Sequence, residues 1–242
     1  MAAEYHVRRA RTAQDTSRVM ALRLARFGAG IDEFDARATQ IMVLEGDALR
    51  ATFRLIGYAD GADMGAGYSG QFYDLAGFSA LDRPALELGR FCLDTRHDTG
   101  PAAGREADIL RLCFAAMAGM VDSTRAALLF GCASFAGSEV GPHLPALGAL
   151  KPHISPQWAV GRKDSHIIDL KDIAAPSDPM AALRAMPPLL RSYLGIGGWV
   201  SDHVVQDFEL GTIHVFTGVE VSRIPPQRAQ ALRALAGQID LS

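Results

Sequence analysis

The chain is poor in cysteine, and the three it has, Cys92, Cys113 and Cys132, stand in apolar surroundings without CxxC spacing. That rules against a disulfide framework and against a cysteine-based zinc site, so reduced core thiols are expected. Seven histidines are scattered with no HExxH pattern, so no spacing supports a bound metal and none is expected. There is no lysine or arginine run with interleaved aromatics, and the formal net charge is -3, which argues against nucleic acid as a partner. Long apolar runs are missing too. The longest, Leu112 to Val121, is too short to span a bilayer, and Met1 to Arg11 is polar and basic, so a cytoplasmic protein is expected.

What is present is ordinary globular material: 242 residues, 49% hydrophobic and 21% charged, enough for a full core. The run Ala85-Leu86-Glu87-Leu88-Gly89-Arg90-Phe91-Cys92 sets a carboxylate and a guanidinium three apart inside an apolar, strand-like segment. Strand alternation would turn Glu87 and Gly89 to one face and Leu88, Arg90 and Cys92 to the other. Burial raises the pKa of a carboxylate, which suits a general base acting on an amine; a structural ion pair is the competing reading.

Elsewhere Thr12 can cap a helix running to Phe27, with arginines at 11, 18, 23 and 26 giving it a basic face. Strands are expected over 40–44 and 49–56, joined by a turn at Glu45-Gly46-Asp47. The glycine-rich stretch 57–81 reads as a long loop of the kind that carries function. A helix over about 105–124 follows the turn-rich segment 94–104, and a buried strand over 126–133 comes next. A Pro- and Gly-rich region extends to about residue 179. Then come a helix over about 180–194, strands near 198–205 and 212–221, and a terminal helix begun by Ile224-Pro225-Pro226. With no internal repeat and no clean boundary, residues 1–242 read as one α/β domain.

The order of certain residues resembles that of a known superfamily. Arg23 with Phe27, Asp32-Glu33-Phe34-Asp35, Arg54 and Glu87-Leu88-Gly89-Arg90 recur in sequence in bacterial autoinducer synthases, which are GNAT-like acyltransferases. More closely, Tyr68-Ser69, Phe72-Tyr73-Asp74-Leu75, Glu87 to Cys92, Phe130 to Ser134 and Pro187 to Leu194 resemble the ornithine lipid N-acyltransferases, over about residues 5–225. The resemblance implies a GNAT-like fold with a splayed mixed sheet between helices. The implied activity is transfer of a 3-hydroxyacyl chain from acyl carrier protein to the α-amino group of ornithine, giving lyso-ornithine lipid. No cofactor would be bound; the 4'-phosphopantetheine arm belongs to the carrier protein, and its phosphate would meet Arg96, Gly100, Gly104 and Arg105. The segment Arg96 to Ala103 departs from the superfamily's Arg-x-x-Gly-x-Gly/Ala loop by carrying Asp98 and Pro101.

The implied catalytic residues are Glu87 as base, Tyr193 as the acid for the leaving thiolate, and the backbone near Ser134 as oxyanion donor. Asp32 and Asp35 would hold a cationic acceptor, with Arg23, Phe27, Arg54 and Arg90 around it; capping and bracing are the competing roles for the acids and arginines. An acidic carrier protein would dock on Arg8, Arg9, Arg11, Arg18, Arg23 and Arg26. Pro187 to Trp199 offers a peripheral membrane contact or core packing. Alternatives are another acceptor such as glutamine, an acyl-homoserine-lactone synthase, or a silent acyl-carrier or lipid-binding module.

Overall fold

A computed structural model describes residues 5–94, 102–163, 165–237, 239 and 241, with backbone alone at 102–105. In hydrogen-bonding order the main strands run β1 (Tyr5–Arg9), β2 (Thr39–Glu45), β3 (Ala48–Tyr58), β5 (Ala85–Leu93), β6 (Leu128–Ala136), β10 (Thr212–Glu220), β9 (Trp199–Asp207) and β8 (Ile167–Asp169). A separate pair is formed by β4 (Tyr73–Asp74) and β7 (Gly161–Arg162). β5 and β6 are neighbours in this order and are joined in sequence through helix α2 (Ala102–Thr124). The architecture is thus the expected α/β, with a mixed sheet and helices. The residues gather into two compact units, 1–57 with 88–126 and 226–242, and 58–87 with 127–225.

In the first unit α1 (Ala13–Phe27) is delimited by its caps. Thr12 and Asp15 form a capping box, the Thr12 hydroxyl accepting from Asp15 N at 3.0 Å and Asp15 accepting from Thr12 N at 3.2 Å, and Gly28 closes the helix at φ +69°. Its buried stripe is Asp15, Val19, Leu22 and Arg23, the i, i+4, i+7, i+8 spacing of one helix face. Val19 packs on Met42 and Leu44 of β2. Alternation gives Gln40 the same face, whereas α2 lies against β1 and β2 with Arg9 Nη2 donating to Met120 Sδ at 3.4 Å. The terminal helix α6 (Pro226–Ala236) packs on α2. The hairpin pairs Glu45 with Ala48 around a two-residue turn, Gly46 supplying the left-handed backbone.

In the second unit β10 is antiparallel to both β6 and β9, and alternation sorts its residues to two faces. Ile213 and Val215 join Leu147, Leu150, Leu190 and Val204 in one apolar layer. Phe216 faces the other way, with ring centroids 5.5–5.9 Å from those of Tyr73, Phe78, Phe130 and Trp199.

That aromatic layer corrects the reading of 57–81 as an open loop. The segment holds three 3-10 turns and β4, and it buries Met64, Ser69, Tyr73, Leu75 and Phe78. The single helix expected over 180–194 is likewise two, α4 (Pro179–Ala185) and α5 (Pro188–Gly195). Pro187 forces Met186 into extended backbone at ψ 142°, and neither Pro187 nor Pro188 has an N–H to continue a helix. α3 (Leu144–Gly148), β7 and β8 arise inside the Pro- and Gly-rich region.

Candidate active site

Glu87 is 1% exposed on β5 and its carboxylate is held by three donors. The Tyr58 hydroxyl donates to Oε2 at 2.7 Å, Tyr68 N donates to the same oxygen at 3.2 Å, and Ser69 N donates to Oε1 at 2.6 Å. Hydrogen bonds to a charged group contribute roughly 1.5–3 kcal/mol each, so three can offset the several kcal/mol that desolvating a carboxylate costs. A carboxylate offers about four lone-pair positions, which leaves one open on Oε1 for a further donor, an amine or a water. Gly67 is required beside it, because a Cβ there would overlap the Tyr58 hydroxyl and lie 2.5 Å from Glu87 Oε2. Cys132 Sγ lies 3.5 Å from Ser69 Oγ, and burial pushes its thiol up to about 12, so it is a neutral neighbour of the carboxylate.

The first unit contains an ion network. Arg23 forms a two-pronged pair with Asp35, at 2.6 and 3.0 Å, and lies 3.7 Å from Asp32. Arg54 Nη1 donates to Asp32 and, at 3.1 Å, to Asp35, while Arg90 donates to Asp32 Oδ2 through Nε at 3.1 Å and Nη2 at 2.8 Å. Burial alone would raise both acids; for Asp32 the Arg54 and Arg90 hydrogen bonds outweigh it and hold the carboxyl below its ordinary range. For Asp35 the Arg23 hydrogen bonds do so, holding it down at about 2.

The same acids form the capping box of the 3-10 turn Glu33–Arg37, with Asp32 N donating to Asp35 at 2.9 Å. Capping and bracing are therefore what Asp32, Asp35, Arg23, Arg54 and Arg90 do in this structure. Phe27 lies beside Arg90, whose guanidinium carbon is 5.9 Å from the ring centroid.

Two expectations about β5 change. Arg90 has φ +51°, left-handed backbone in a non-glycine residue, which breaks strict alternation after Gly89. Gly89 faces Arg54, whose Nε would lie 3.1 Å from a Cβ at that position. The charges of the motif also go to separate partners, Arg90 to Asp32 and Glu87 to Tyr58 and the 68–69 backbone.

Tyr193 is buried at 6% exposure on α5, and Ser134 is exposed on β6 opposite His214. Arg96 and Gly100 lie outside the described residues. Gly104 and Arg105 lie in the first turn of α2, which begins at Ala102, three residues before the expected start. The basic docking face is smaller than the sequence suggested: Arg23 is fully buried, and Arg8 pairs with Asp15 at 2.6 and 2.8 Å. Leu190, Tyr193 and Trp199 are buried, which takes the membrane contact away from them. Among the described residues no helix is long and apolar enough to cross a membrane, and no His, Cys, Asp and Glu group could hold a metal ion. Sequence reasoning missed Tyr58 and Gln40; the first closes a strand and the second opens one, positions where polar residues carry no signal.

Residues 16–105 match the acetyltransferase (GNAT) domain family. The apo form of TofI shares the fold, with a TM-score of 0.50, 13% identity and coverage of 98% of this chain and 97% of that one. A curated L-ornithine N(alpha)-acyltransferase of Rhodobacter capsulatus is 30% identical over 87% of this chain and 88% of its own. One of Rhizobium meliloti is 27% identical, over 86% of this chain and 72% of its own. The chain belongs to the L-ornithine N(alpha)-acyltransferase family and is an acyltransferase.

Proposed function

We propose that this enzyme moves a 3-hydroxyacyl chain from acyl carrier protein to the α-amino group of ornithine, giving lyso-ornithine lipid for membrane aminolipid synthesis. The acceptor is carried by one observation, that four curated relatives at 27–30% identity share the name L-ornithine N(alpha)-acyltransferase.

The chemistry follows from Glu87. An α-ammonium cannot attack a thioester until it loses a proton, and the open lone pair on Oε1 is the position that would take it, directly or through a water. The amine nitrogen then bonds to the thioester carbonyl carbon. The oxyanion is met by backbone N–H near Ser134, and collapse breaks the C–S bond. The nitrogen sheds its second proton as the amide forms, and the pantetheine thiolate leaves with a proton from Tyr193, which that second proton replaces. The carrier protein docks through the arginines that remain at the surface, Arg11, Arg18 and Arg26, and work at the inner face of the cytoplasmic membrane fits an amphiphilic product.

The test is incubation of purified protein with 3-hydroxypalmitoyl carrier protein and a panel of amino acids, with products read by mass spectrometry and Glu87→Gln run alongside. N-acyl ornithine, lost in the variant, is expected. N-acyl glutamine would change the acceptor, a lactone from S-adenosylmethionine would move the enzyme to autoinducer synthesis, and no product would overturn the reading.

A further inference from the structure

The Glu87 carboxylate has no cation beside it. Among the described residues its partners are three neutral donors, the Tyr58 hydroxyl, Tyr68 N and Ser69 N, and Tyr58 lies in the same compact unit as Glu87. Two of the three are backbone groups that no side-chain change removes. Tyr58 is the one side chain, and on Oε2 its bond of 2.7 Å is much shorter than the 3.2 Å from Tyr68 N. An O–H donor at that distance from a carboxylate is charge-assisted, and a phenol has one proton to give. The ring is held in place: Tyr58 is buried, its centroid lies 5.7 Å from that of Phe130, and Gly67 closes over the bond, a Cβ there lying 2.2 Å from the hydroxyl. Of the other titratable side chains nearby, Cys132 is neutral, its thiol pushed by burial up to about 12, and the Tyr68 ring packs on Phe72 at 5.4 Å.

We propose that Tyr58 is the positioning residue of the base: its hydroxyl fixes the plane of the Glu87 carboxylate and keeps that group a proton acceptor at the pH of catalysis. Hydrogen bonding to the charged form of an acid favours that form, so the hydroxyl opposes the desolvation that burial imposes. The terminal torsion of a glutamate is broad, and without Tyr58 only the longer bond would remain on Oε2 to hold it. Tyr58 acts through Glu87 rather than on the substrate. The proposal rests on Glu87 being the base for its effect on rate, not for its effect on the titration of the carboxyl.

The experiment compares the full chain with its Tyr58→Phe variant in two ways. One is the pH profile of kcat/KM for L-ornithine with 3-hydroxypalmitoyl carrier protein. The other is carbon-13 NMR titration of the Glu87 carboxyl in glutamate-labelled protein, the signal being assigned through Glu87→Gln. Losing a hydrogen bond to a charged group should move both the acid limb of the rate profile and the carboxyl titration upward by about one to two pH units. The substrates' own groups titrate alike in both proteins, so the difference belongs to the enzyme. Replacing Tyr58 by 3-fluorotyrosine keeps the ring and makes the phenol more acidic and a stronger donor. It should move both readouts downward, and it carries the test if Tyr58→Phe fails to fold. A carboxyl titration unmoved by either change would overturn the proposal, even if turnover fell, because a packing defect lowers the rate without moving the titration. A titration that moves while the rate profile stays in place would sink the reading of Glu87 as base, and the positioning role with it.

Discussion

Replacing Asp35 by asparagine keeps its size and removes one charge from the most enclosed part of the ion network. Arg23, fully buried, would retain only Asp32 at 3.7 Å, and the Gln40 and Asp32 donors would face a half-matched amide. Removing one partner of a buried pair costs about 3–5 kcal/mol, because the remaining charge stays desolvated. A second estimate comes from titration: the carboxyl sits at about 2 against an ordinary 3.8, and at ~1.4 kcal/mol per tenfold change this is worth about 2 kcal/mol. Protonation leaves the acid in place to accept hydrogen bonds, so the smaller figure is a floor for the substitution.

The folded pKa is depressed, so this stabilisation is fully present above pH 3.8 and is lost as pH falls toward 2. Urea unfolding at neutral pH should show a loss of about 2–5 kcal/mol for Asp35→Asn, a large share of a domain's usual ~5–15 kcal/mol. Between pH 4 and 2 the wild type should lose about 2 kcal/mol that the variant has already lost. Asp122→Ala is the control. Asp122 pairs with Arg233 at 3.0–3.2 Å with comparable geometry, but the two side chains are 44% and 54% exposed, so less than about 1 kcal/mol is expected. Equal costs for the two variants, or an Asp35→Asn loss below about 1 kcal/mol, would refute the argument that burial makes the network structural.

Glu87→Gln should lower kcat by on the order of 100-fold or more while the circular dichroism spectrum is kept, since an amide cannot take the amine's proton; undiminished turnover would remove Glu87 from the chemistry. Gly67→Ala should also reduce kcat, because its methyl group would displace Tyr58 and Glu87 Oε2, whereas Gly65→Ala, with nothing within 4 Å of its Cβ, should leave kcat unchanged. If the two alanine variants behaved alike, the placement of Gly67 against Glu87 would be wrong. Cys92 and Cys132 are each pushed by burial up to about 12, and Cys113 is raised by the same cause, so a thiol reagent at pH 8 should label the native protein slowly and all three cysteines in urea. Rapid labelling of Cys92 or Cys113 in the folded chain would contradict their burial.

Local signals carried much of the fold. Thr12 and Gly28 mark the ends of α1, Gly46-Asp47 makes the β2–β3 turn, and β5, α2, β9 and β10 stand within a few residues of where their patterns place them. Segments whose structure depends on distant partners were not legible. Residues 58–81 have no period of their own because their order comes from Tyr73 and Phe78 meeting Phe216 on β10. Arg23 looks like one of a row of surface arginines, yet it lies four residues after Val19 on the buried stripe and is neutralised by Asp35, twelve positions away. The helical spacing was readable; the partner was not. At the candidate site, Glu87 was legible as a buried charge in an apolar strand, while its three donors come from Tyr58 and from backbone at 68 and 69, where side-chain identity gives no warning.

The spacing of Asp32-Glu33-Phe34-Asp35 has a geometric cause. The capping box holds Asp32, the N-cap of the 3-10 turn, against Asp35, and arginines from α1, β3 and β5 converge on the pair. One position on, Phe34 and Arg37 share a second edge, with the guanidinium carbons of Arg37 and Arg54 each 5.6 Å from the Phe34 ring centroid. The third edge carries Glu33 and Ala36, both exposed. Moving either aspartate by one residue would take it off the arginine edge. The motif therefore specifies a rigid ion-paired edge and an open acidic edge at once. On this geometry Glu33→Gln should leave stability within about 0.5 kcal/mol of the wild type, and a Glu33→Gln protein that unfolded like Asp35→Asn would show that the two edges are not independent.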